Sequence, residues 1–312
     1  MKVSDDRSAT NTTTANAALP KAGGTMTGNL ATAGISAVTA GTSNFVAGVN
    51  AGNSIESGGN YNTVVGDEAG TAITTGDYNV GLGYRALLAN TTGTQNTSIG
   101  TDTLRANDTG TNNTGVGQAA LFANTTASNN TGIGHSALRN NTTGAFNAAL
   151  GAEALLTNTA GASNTAVGYQ SLKLATTASN NTSMGYRALR TTTTGANNVA
   201  IGSSALYANT TGTENVSVGA NSMLANTTGS YNTAVGKNAL DANTTANSNT
   251  GVGRSSLSNN TTGTSNTAVG YYSLLANTTA SYNTAFGASA LNANTTGDRN
   301  LAVGTSALEA NT

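Results

Sequence analysis

The sequence predicts an all-β protein: a parallel β-solenoid of about fifteen coils, each built from seventeen residues. Three observations carry this prediction. A motif recurs every seventeen residues without insertion or deletion, the composition is too poor in large apolar residues for an ordinary globular core, and each copy contains one short alternating segment. A fixed period of this kind is typical of stacked repeat architectures, in which each copy buries its apolar face only against its neighbours.

The repeat is marked by an Asn that recurs from Asn62 to Asn300, and a Gly stands four residues after each Asn. The first members of the two columns are Asn62, Asn79 and Asn96, and Gly66, Gly83 and Gly100. A large apolar residue such as Val167 precedes each Gly, and a second apolar column, mostly Leu as at Leu172, follows four residues after it. Seventeen residues rich in Thr, Asn and Gly do not fit a repeat of two helices.

Each copy contains a strand segment and a turn segment. The run NTAVG alternates, so that Thr and Val point to one face of a strand while Asn and Ala point to the other. The run ANTTG supplies turn residues, because Asn and Gly tolerate positive φ. One copy is therefore predicted to form one coil that pairs with the next at about 4.8 Å.

Stacking places residues seventeen apart directly above one another. We expect the Val and Leu columns to form internal apolar ladders and the Asn column to form a ladder of hydrogen-bonded amides. One inserted residue would turn an apolar ladder toward water. Fifteen coils at about 4.8 Å give a rod of roughly 70 Å. Because the core of one chain is thin, we expect self-association about the long axis, as a homotrimer.

Composition limits the function. Charged residues make up 8% of the chain, the formal net charge is -1, and Cys is absent, so neither a nucleic-acid surface, nor a disulfide framework, nor a thiolate metal site is expected. The N-terminus has no apolar segment typical of a secretion signal, and no run reaches the length of a membrane span. We therefore expect no membrane insertion and no cofactor.

Most aromatic and charged residues lie at the variable positions: one, two and five residues after the Gly, and the two residues before the Asn. Variable positions of a rigid solenoid face outward. One interpretation makes the tyrosines receptor or glycan contacts; the alternative is that Tyr covers neighbouring strand backbone. The candidate contacts are Tyr84, Tyr169, Tyr186, Tyr271, Tyr272 and Tyr282.

The sequence predicts neither an enzyme nor a metal site. Glycoside hydrolysis needs paired carboxyl groups, and no two acidic residues stand seventeen residues apart. Asp67 and Glu68 are adjacent, which in a strand would send them to opposite faces. His135 shows no acidic partner in its own or the adjoining copies. An ice-binding face is a weaker alternative, since adjacent Thr pairs would point to opposite sides.

A resemblance adds to this reading. The segment Leu19 to Leu30 reads LPKAGGTMTGNL and resembles the GGTMTGNL motif of tail fibre proteins of tailed bacteriophages. The NTAVG copies are similar to the coils of trimeric autotransporter adhesin heads, which have shorter repeats, a secretion signal and a membrane barrel. The resemblance to phage fibres implies a virion component, trimeric assembly and host attachment.

We therefore expect three regions. Residues 1–43 would be an attachment segment that binds other tail or baseplate proteins, residues 44–61 an imperfect first coil and transition, and residues 62–312 the shaft. The predicted function is a non-enzymatic phage tail fibre shaft, assembled in the host cytoplasm, with a host surface glycan as a secondary partner. A bacterial surface or extracellular filament adhesin is the alternative. Since the chain stops inside a repeat without a polar cap, a further chain or domain beyond it is also expected.

Overall fold

The computed structural model describes residues 35–36 and 39–311; the GGTMTGNL motif lies outside them. All regular elements described are short strands, and from β2 onward they follow one another at intervals of one coil. They are β1 (Ile35–Ser36), β2 (Phe45–Ala47), β3 (Thr63–Val65), β4 (Val80–Leu82), β5 (Thr97–Ile99), β6 (Thr114–Val116), β7 (Thr131–Ile133), β8 (Ala148–Leu150), β9 (Thr165–Val167), β10 (Thr182–Met184), β11 (Val199–Ile201), β12 (Val216–Val218), β13 (Thr233–Val235), β14 (Thr250–Val252), β15 (Thr267–Val269), β16 (Thr284–Phe286) and β17 (Leu301–Val303).

The strands form one sheet along the length of a solenoid. From β2 to β17 each strand pairs in parallel with the next. From β3 onward the partners are residues seventeen apart, as in Thr182 with Val199 and Met184 with Ile201. The short β1 adds to β2 in antiparallel orientation. Backbone hydrogen bonds also join successive coils outside the strands, for example from the Arg85 N–H to the Asp67 carbonyl. The predicted all-β parallel solenoid of seventeen-residue coils is confirmed.

We number the positions of each coil from its Asn, so that the Gly is position 5. Positions 1, 3, 8, 9, 12 and 15 point inward and the others face outward or lie at corners. The predicted alternation in the strand is correct: Thr and Val share one face, and Asn and the small residue share the other. The assignment of the Val column to the interior is wrong. Position 3, which carries Gly, Ala or Ser from Gly81 onward, points inward, while Val167 and its equivalents at position 4 point outward.

The Leu column at position 9 does form an internal ladder. Leu172 and its equivalents from Leu87 to Leu291 are fully buried, with Met223 among them. Each of these residues has a positive φ near 50°, and Gly52 and Gly70 occupy the same place in the first two coils. Val and Ile are strongly disfavoured in this left-handed region, so the backbone accounts for the absence of β-branched residues from the column.

The Asn column forms an amide ladder inside the rod, as expected. At each step the Asn N–H donates to the side-chain oxygen of the Asn one coil earlier, from Asn62 to Asn44 at 2.8 Å through to Asn300 and Asn283 at 2.8 Å. The side-chain nitrogen donates to the carbonyl of position 15, as from Asn79 to Gly93 at 2.9 Å. This ladder, the first amide ladder, satisfies polar groups that burial would otherwise leave unpaired.

A second amide ladder at position 12 was not predicted, because the Asn of ANTTG was assigned to the turn. Asn90 is fully buried, and the Asn107 side-chain nitrogen donates to its oxygen at 2.7 Å. The same bond repeats between successive coils on either side of an interruption at Ala175 and Thr192. The signal was present in the sequence: this Asn also recurs at intervals of seventeen.

The Gly column at position 5 turns the chain out of each strand. Gly202 has a φ of 135°, and a Cβ at this residue would lie 2.6 Å from the carbonyl oxygen of Gly219 in the next coil. Both the dihedral angle and the close approach of neighbouring backbones therefore exclude a side chain. The same holds for Gly66, Gly83 and Gly100, whose φ values are 134°, 133° and 131°.

The imperfect copy at residues 44–61 is a coil of the same solenoid. Phe45 pairs with Thr63 and Ala47 with Val65, so the strand is in register. The extra residue lies in the outer corner, which is formed by positions 13 and 14 of the later coils. The side chain of Asn44 donates to the carbonyl of Gly59, fifteen residues further along the chain, whereas in later coils the corresponding acceptor is fourteen residues away. An insertion at this corner therefore leaves the internal ladders undisturbed, which limits the expectation that any insertion would break them.

Candidate functional site

An apolar ladder runs along the outer face of the sheet. It is formed by the position 4 side chains, which sequence analysis placed in the core, and no polar residue interrupts it from Val65 to Val303. Several members are at least a third exposed, including Leu150 at 50% and Met184 at 43%. Its members are Val65, Leu82, Ile99, Val116, Ile133, Leu150, Val167, Met184, Ile201, Val218, Val235, Val252, Val269, Phe286 and Val303. Contiguous exposed apolar surface of this length is typical of an interaction surface.

The outer ladder is bordered by position 2, whose side chains share its face of the strand. Position 2 is Thr in most coils and apolar in several, as at Val199 and Val216. Two residues along each strand and roughly 70 Å of length give a strip on the order of 500 Å².

The predicted tyrosine contacts do not form one site. Tyr84, Tyr169, Tyr186 and Tyr271 lie at position 6 and Tyr272 at position 7, whereas Tyr282 lies at position 17. Tyr169 stacks on Tyr186 with ring centroids 5.7 Å apart, and Tyr271 on Tyr272 at 3.9 Å.

Arginine side chains cover several of the tyrosine rings. The guanidinium carbon lies 4.6 Å from the ring centroid for Arg85 on Tyr84, 4.9 Å for Arg187 on Tyr186 and 5.5 Å for Arg299 on Tyr282. These rings therefore pack partly against the rod's own arginine side chains.

The acidic residues are arranged differently from the sequence-based expectation. Asp67 and Glu68 lie in the turn after Gly66 and not in a strand, so strand alternation does not separate them. Glu68 accepts a hydrogen bond from Arg85 Nε at 2.7 Å, and this bond raises the pKa of the arginine. His135 does have an acidic neighbour in the adjoining coil, Glu153, which sequence analysis missed.

Glu153 is held by two donors. Lys173 Nζ lies 2.7 Å and Gln170 Nε2 2.9 Å from its Oε2. The hydrogen bond from Lys173, then that from Gln170, lowers the pKa of Glu153, with a smaller contribution from the charge of His135. The carboxylate is thereby fixed in its ionised form near neutral pH.

The Thr pairs of the outer corner have different roles. The first Thr, at position 13, donates its hydroxyl to a carbonyl one coil on, as from Thr210 to Thr227 at 3.0 Å. The second, at position 14, is exposed, and in four coils a Thr at position 16 follows the inward Gly, as in Thr92 and Thr94. Ser, Ala, Asn or Asp replaces that Thr elsewhere, so a regular two-row Thr face does not extend along the rod.

Among residues 35–36 and 39–311, no three His, Cys, Asp or Glu side chains are grouped closely enough to hold a metal ion. Across the same residues there is no helix with the length and apolar character needed to cross a membrane. Comparison with known proteins found no matching family model, no matching curated protein and no matching solved structure.

Proposed function

We propose that the chain is the shaft of a phage tail fibre, which assembles as a parallel homotrimer and holds a host-recognition element away from the particle. The observation that carries this proposal is the outer apolar ladder, which follows the full length of a solenoid without interruption. A trimer about an axis parallel to the rod would bury this ladder at its centre, because three parallel copies present the same row of side chains to one another.

The solenoid suits a spacer. Every coil from Asn44 onward pairs with its neighbours through strand and turn hydrogen bonds, so the rod contains no flexible linker. Stability in such a chain is a sum over coils and their interfaces, and length can grow without a larger core. Stiffness and reach follow from the repeat alone, and no catalytic residues are required.

The N-terminal segment supports the assignment to a virion. Its GGTMTGNL motif resembles that of phage tail fibre proteins, where the motif lies toward the virion, so residues 1–43 would bind other tail or baseplate proteins. Contact with a host surface glycan along the variable edge is a secondary role. A bacterial surface or extracellular filament adhesin remains the alternative function, and an ice-binding solenoid a weaker one.

The assembly is tested by sedimentation and negative-stain imaging of the purified chain. A mass of three chains on a thin rod of roughly 70 Å supports the proposal, whereas a monomer of the same length contradicts it. Met184→Glu combined with Ile201→Glu places charges on the outer ladder and should dissociate the trimer into intact rods. The matched control is Thr194→Glu with Thr211→Glu, which changes exposed residues of the same two coils.

The biological setting is tested separately by immunogold microscopy. Antibodies against the rod should label the tails of virions released by the source culture. Label confined to cell surfaces or to filaments outside the cells would overturn the virion assignment in favour of the adhesin, while leaving the trimeric rod intact.

A further inference from the structure

One stretch of the variable edge is recessed. Position 7 carries charged or amide side chains from Glu68 to Arg187 except at Ala119 and Ser136, which are followed by Glu153. These two small residues leave a notch of about 420 Å³ in the side of the rod. Its lining consists of Asp102, Gln118, Ala119, Phe122, His135, Ser136, Arg139, Glu153 and Leu156. A volume of this size is within the usual range for a small-molecule site.

The middle of the notch is built on an aromatic ring. Phe122 is half-buried between two arginines from the adjacent coils, and the guanidinium carbons of Arg105 and Arg139 each lie 5.3 Å from its ring centroid. Contact with the ring restricts both guanidinium groups. Phe122 and Leu156 supply apolar surface between polar groups.

Carboxylates stand at both ends of the notch. Asp102 and Glu153 are three coils apart, which corresponds to about 14 Å along the rod. Asp102 Oδ1 is buried from solvent, with Arg105 Nε 3.6 Å away, whereas the side chain as a whole is 27% exposed; the oxygen that can accept from a ligand is therefore Oδ2. Both hydrogen bonds to Glu153 end on Oε2, so its other oxygen is not used by Lys173 or Gln170. Acceptors therefore remain at each end of the notch.

The alternation of charges decides the class of ligand. An anion in the notch would face the carboxylates of Asp102 and Glu153, and a cation would face the guanidinium group of Arg139. A hydroxyl donates to a carboxylate and accepts from a guanidinium, an imidazole or an amide, so a polyhydroxylated ligand satisfies both sets of groups. The apolar surface of Phe122 and Leu156 suits the C–H face of a sugar ring.

We propose that this notch binds a neutral di- or trisaccharide, with Asp102 and Glu153 accepting hydrogen bonds from its hydroxyl groups and Arg139, His135 and Gln118 donating to its ring and hydroxyl oxygens. In the fibre, this site would be the host-glycan contact of the shaft, and that role rests on the proposed function. Binding itself needs only the coils from Asn96 to Ser163. The site differs from the tyrosine contacts predicted by sequence, none of which lines the notch.

The test uses the full purified chain with maltotriose, cellotriose, chitotriose and mannotriose as neutral probes and sialyllactose as an anionic one. Saturation-transfer NMR detects binding, and titration gives Kd. Ala119→Arg and Ser136→Gln fill the notch with side chains that position 7 carries in other coils. Arg85 and Gln170 are the examples, and both have nearly the same positive φ as the residues replaced. The matched control, Ser204→Arg, fills the same position outside the notch.

We expect at least one neutral probe to bind, the filled variants to weaken it by about tenfold or more, and Ser204→Arg to bind as the wild type does. Asp102→Asn and Phe122→Ala should weaken binding while the rods keep their length in images. The proposal is overturned if no neutral probe binds, if only sialyllactose binds, or if the filled variants bind like the wild type. Since rod mass and length are measured on the same samples, failure of this site is distinguishable from failure of the fibre assignment.

Discussion

The first two coils and the later coils fill one backbone shape with different interiors. In residues 44–78 the large side chains are Val46 and Val64 at position 3 and Ile55 and Ile73 at position 12, with Gly at position 9. From the third coil onward the large side chain is Leu at position 9, position 3 is small and position 12 is Asn in most coils. The total volume is kept while its location changes.

The comparison shows what the backbone does and does not specify. Inter-coil hydrogen bonds continue in register across the boundary, as from the Gly70 N–H to the Ala86 carbonyl. The interior accepts either solution if close packing is maintained and polar groups are paired within their own column. An amide at position 12 therefore depends on amides above and below, whereas Ile73 depends on the space that Gly70 leaves.

The largest loss of stability is expected when the Ile that the first two coils carry at position 12 replaces the Asn of a later coil. Asn226→Ile removes the donor to Asn209 Oδ1 at 3.0 Å and to the Gly229 carbonyl at 3.0 Å, and Met223 leaves no vacated space for the new side chain. The Gly229 carbonyl keeps its hydrogen bond from Asn215, but Asn209 Oδ1 is left unpaired and the Asn243 side-chain nitrogen loses its acceptor in residue 226. Together with overpacking, these losses should cost about 4 kcal/mol. Guanidinium unfolding at fixed chain concentration measures the cost. Thr228→Ile, at an exposed position, is the control, and equal stability of the two variants would contradict separate columns.

The converse exchange is Gly70→Leu in the second coil. A Cβ there lies 2.7 Å from Val64 Cγ1 and 2.8 Å from Ile73 Cδ1, so Leu should overpack this cluster and cost about 3 kcal/mol. The triple variant Val64→Ala, Gly70→Leu, Ile73→Asn installs the later solution and should recover most of the loss, because the amide introduced at residue 73 can accept a hydrogen bond from Asn90. Additive losses in the same unfolding assay would show that the two interiors are not interchangeable.

The positive φ at position 9 gives a sharper test within the later coils. Leu206 has a φ of 53° and is fully buried. Leu206→Val removes one methylene and places a β-branched residue in the left-handed region, for a loss of about 2 kcal/mol. Leu206→Met should cost less than about 1 kcal/mol, since Met223 occupies the same position. Val and Met variants of equal melting temperature would contradict the role assigned to φ.

Repairing the break in the second amide ladder should increase the stability of the rod. Asn158 Oδ1 is buried and unpaired because Ala175 replaces the next Asn. Ala175→Asn should donate to it and raise the free energy of unfolding by about 1 kcal/mol. Ala188→Asn, at a buried position without an amide column, is the matched control and should be destabilising. A loss in both variants would indicate that the ladder does not extend through this coil.

The smallest expected effect on stability comes from the hydrogen bonds that Glu153 accepts on the surface. The pKa of Glu153 is lowered by its hydrogen bonds from Lys173 and Gln170, so its contribution is present above the pKa of the unfolded chain and is lost as the pH falls through the lower folded value. Stability should therefore decrease in acid by a small amount that Glu153→Gln abolishes. Melting temperatures of both proteins measured across the acidic range provide the check; parallel curves would contradict the pairing.

The period determined most of the fold in advance. Invariant spacing predicts stacking, and the Asn, Gly and Leu columns lie where stacking puts them. What periodicity cannot decide is which face of a three-residue strand is inside. The Val column was assigned inward because Val is apolar, yet Asn fills the interior since its amides pair along the axis, and Val167 lies outside. The notch at Phe122 was missed because it depends on the sizes of neighbours in four coils.

The most direct test of the central claim, that small residues line the core and the apolar ladder joins copies of the chain, uses two adjacent residues. The chain has no Cys, so Ser183→Cys and Met184→Cys each introduce a single thiol. Ser183 is fully buried and Met184 is 43% exposed. Under oxidation, the account predicts disulfide-linked dimers within the Met184→Cys assembly and an unreactive Ser183→Cys thiol until the rod is unfolded. Cross-linking through a thiol at residue 183, with residue 184 protected inside a monomer, would contradict it.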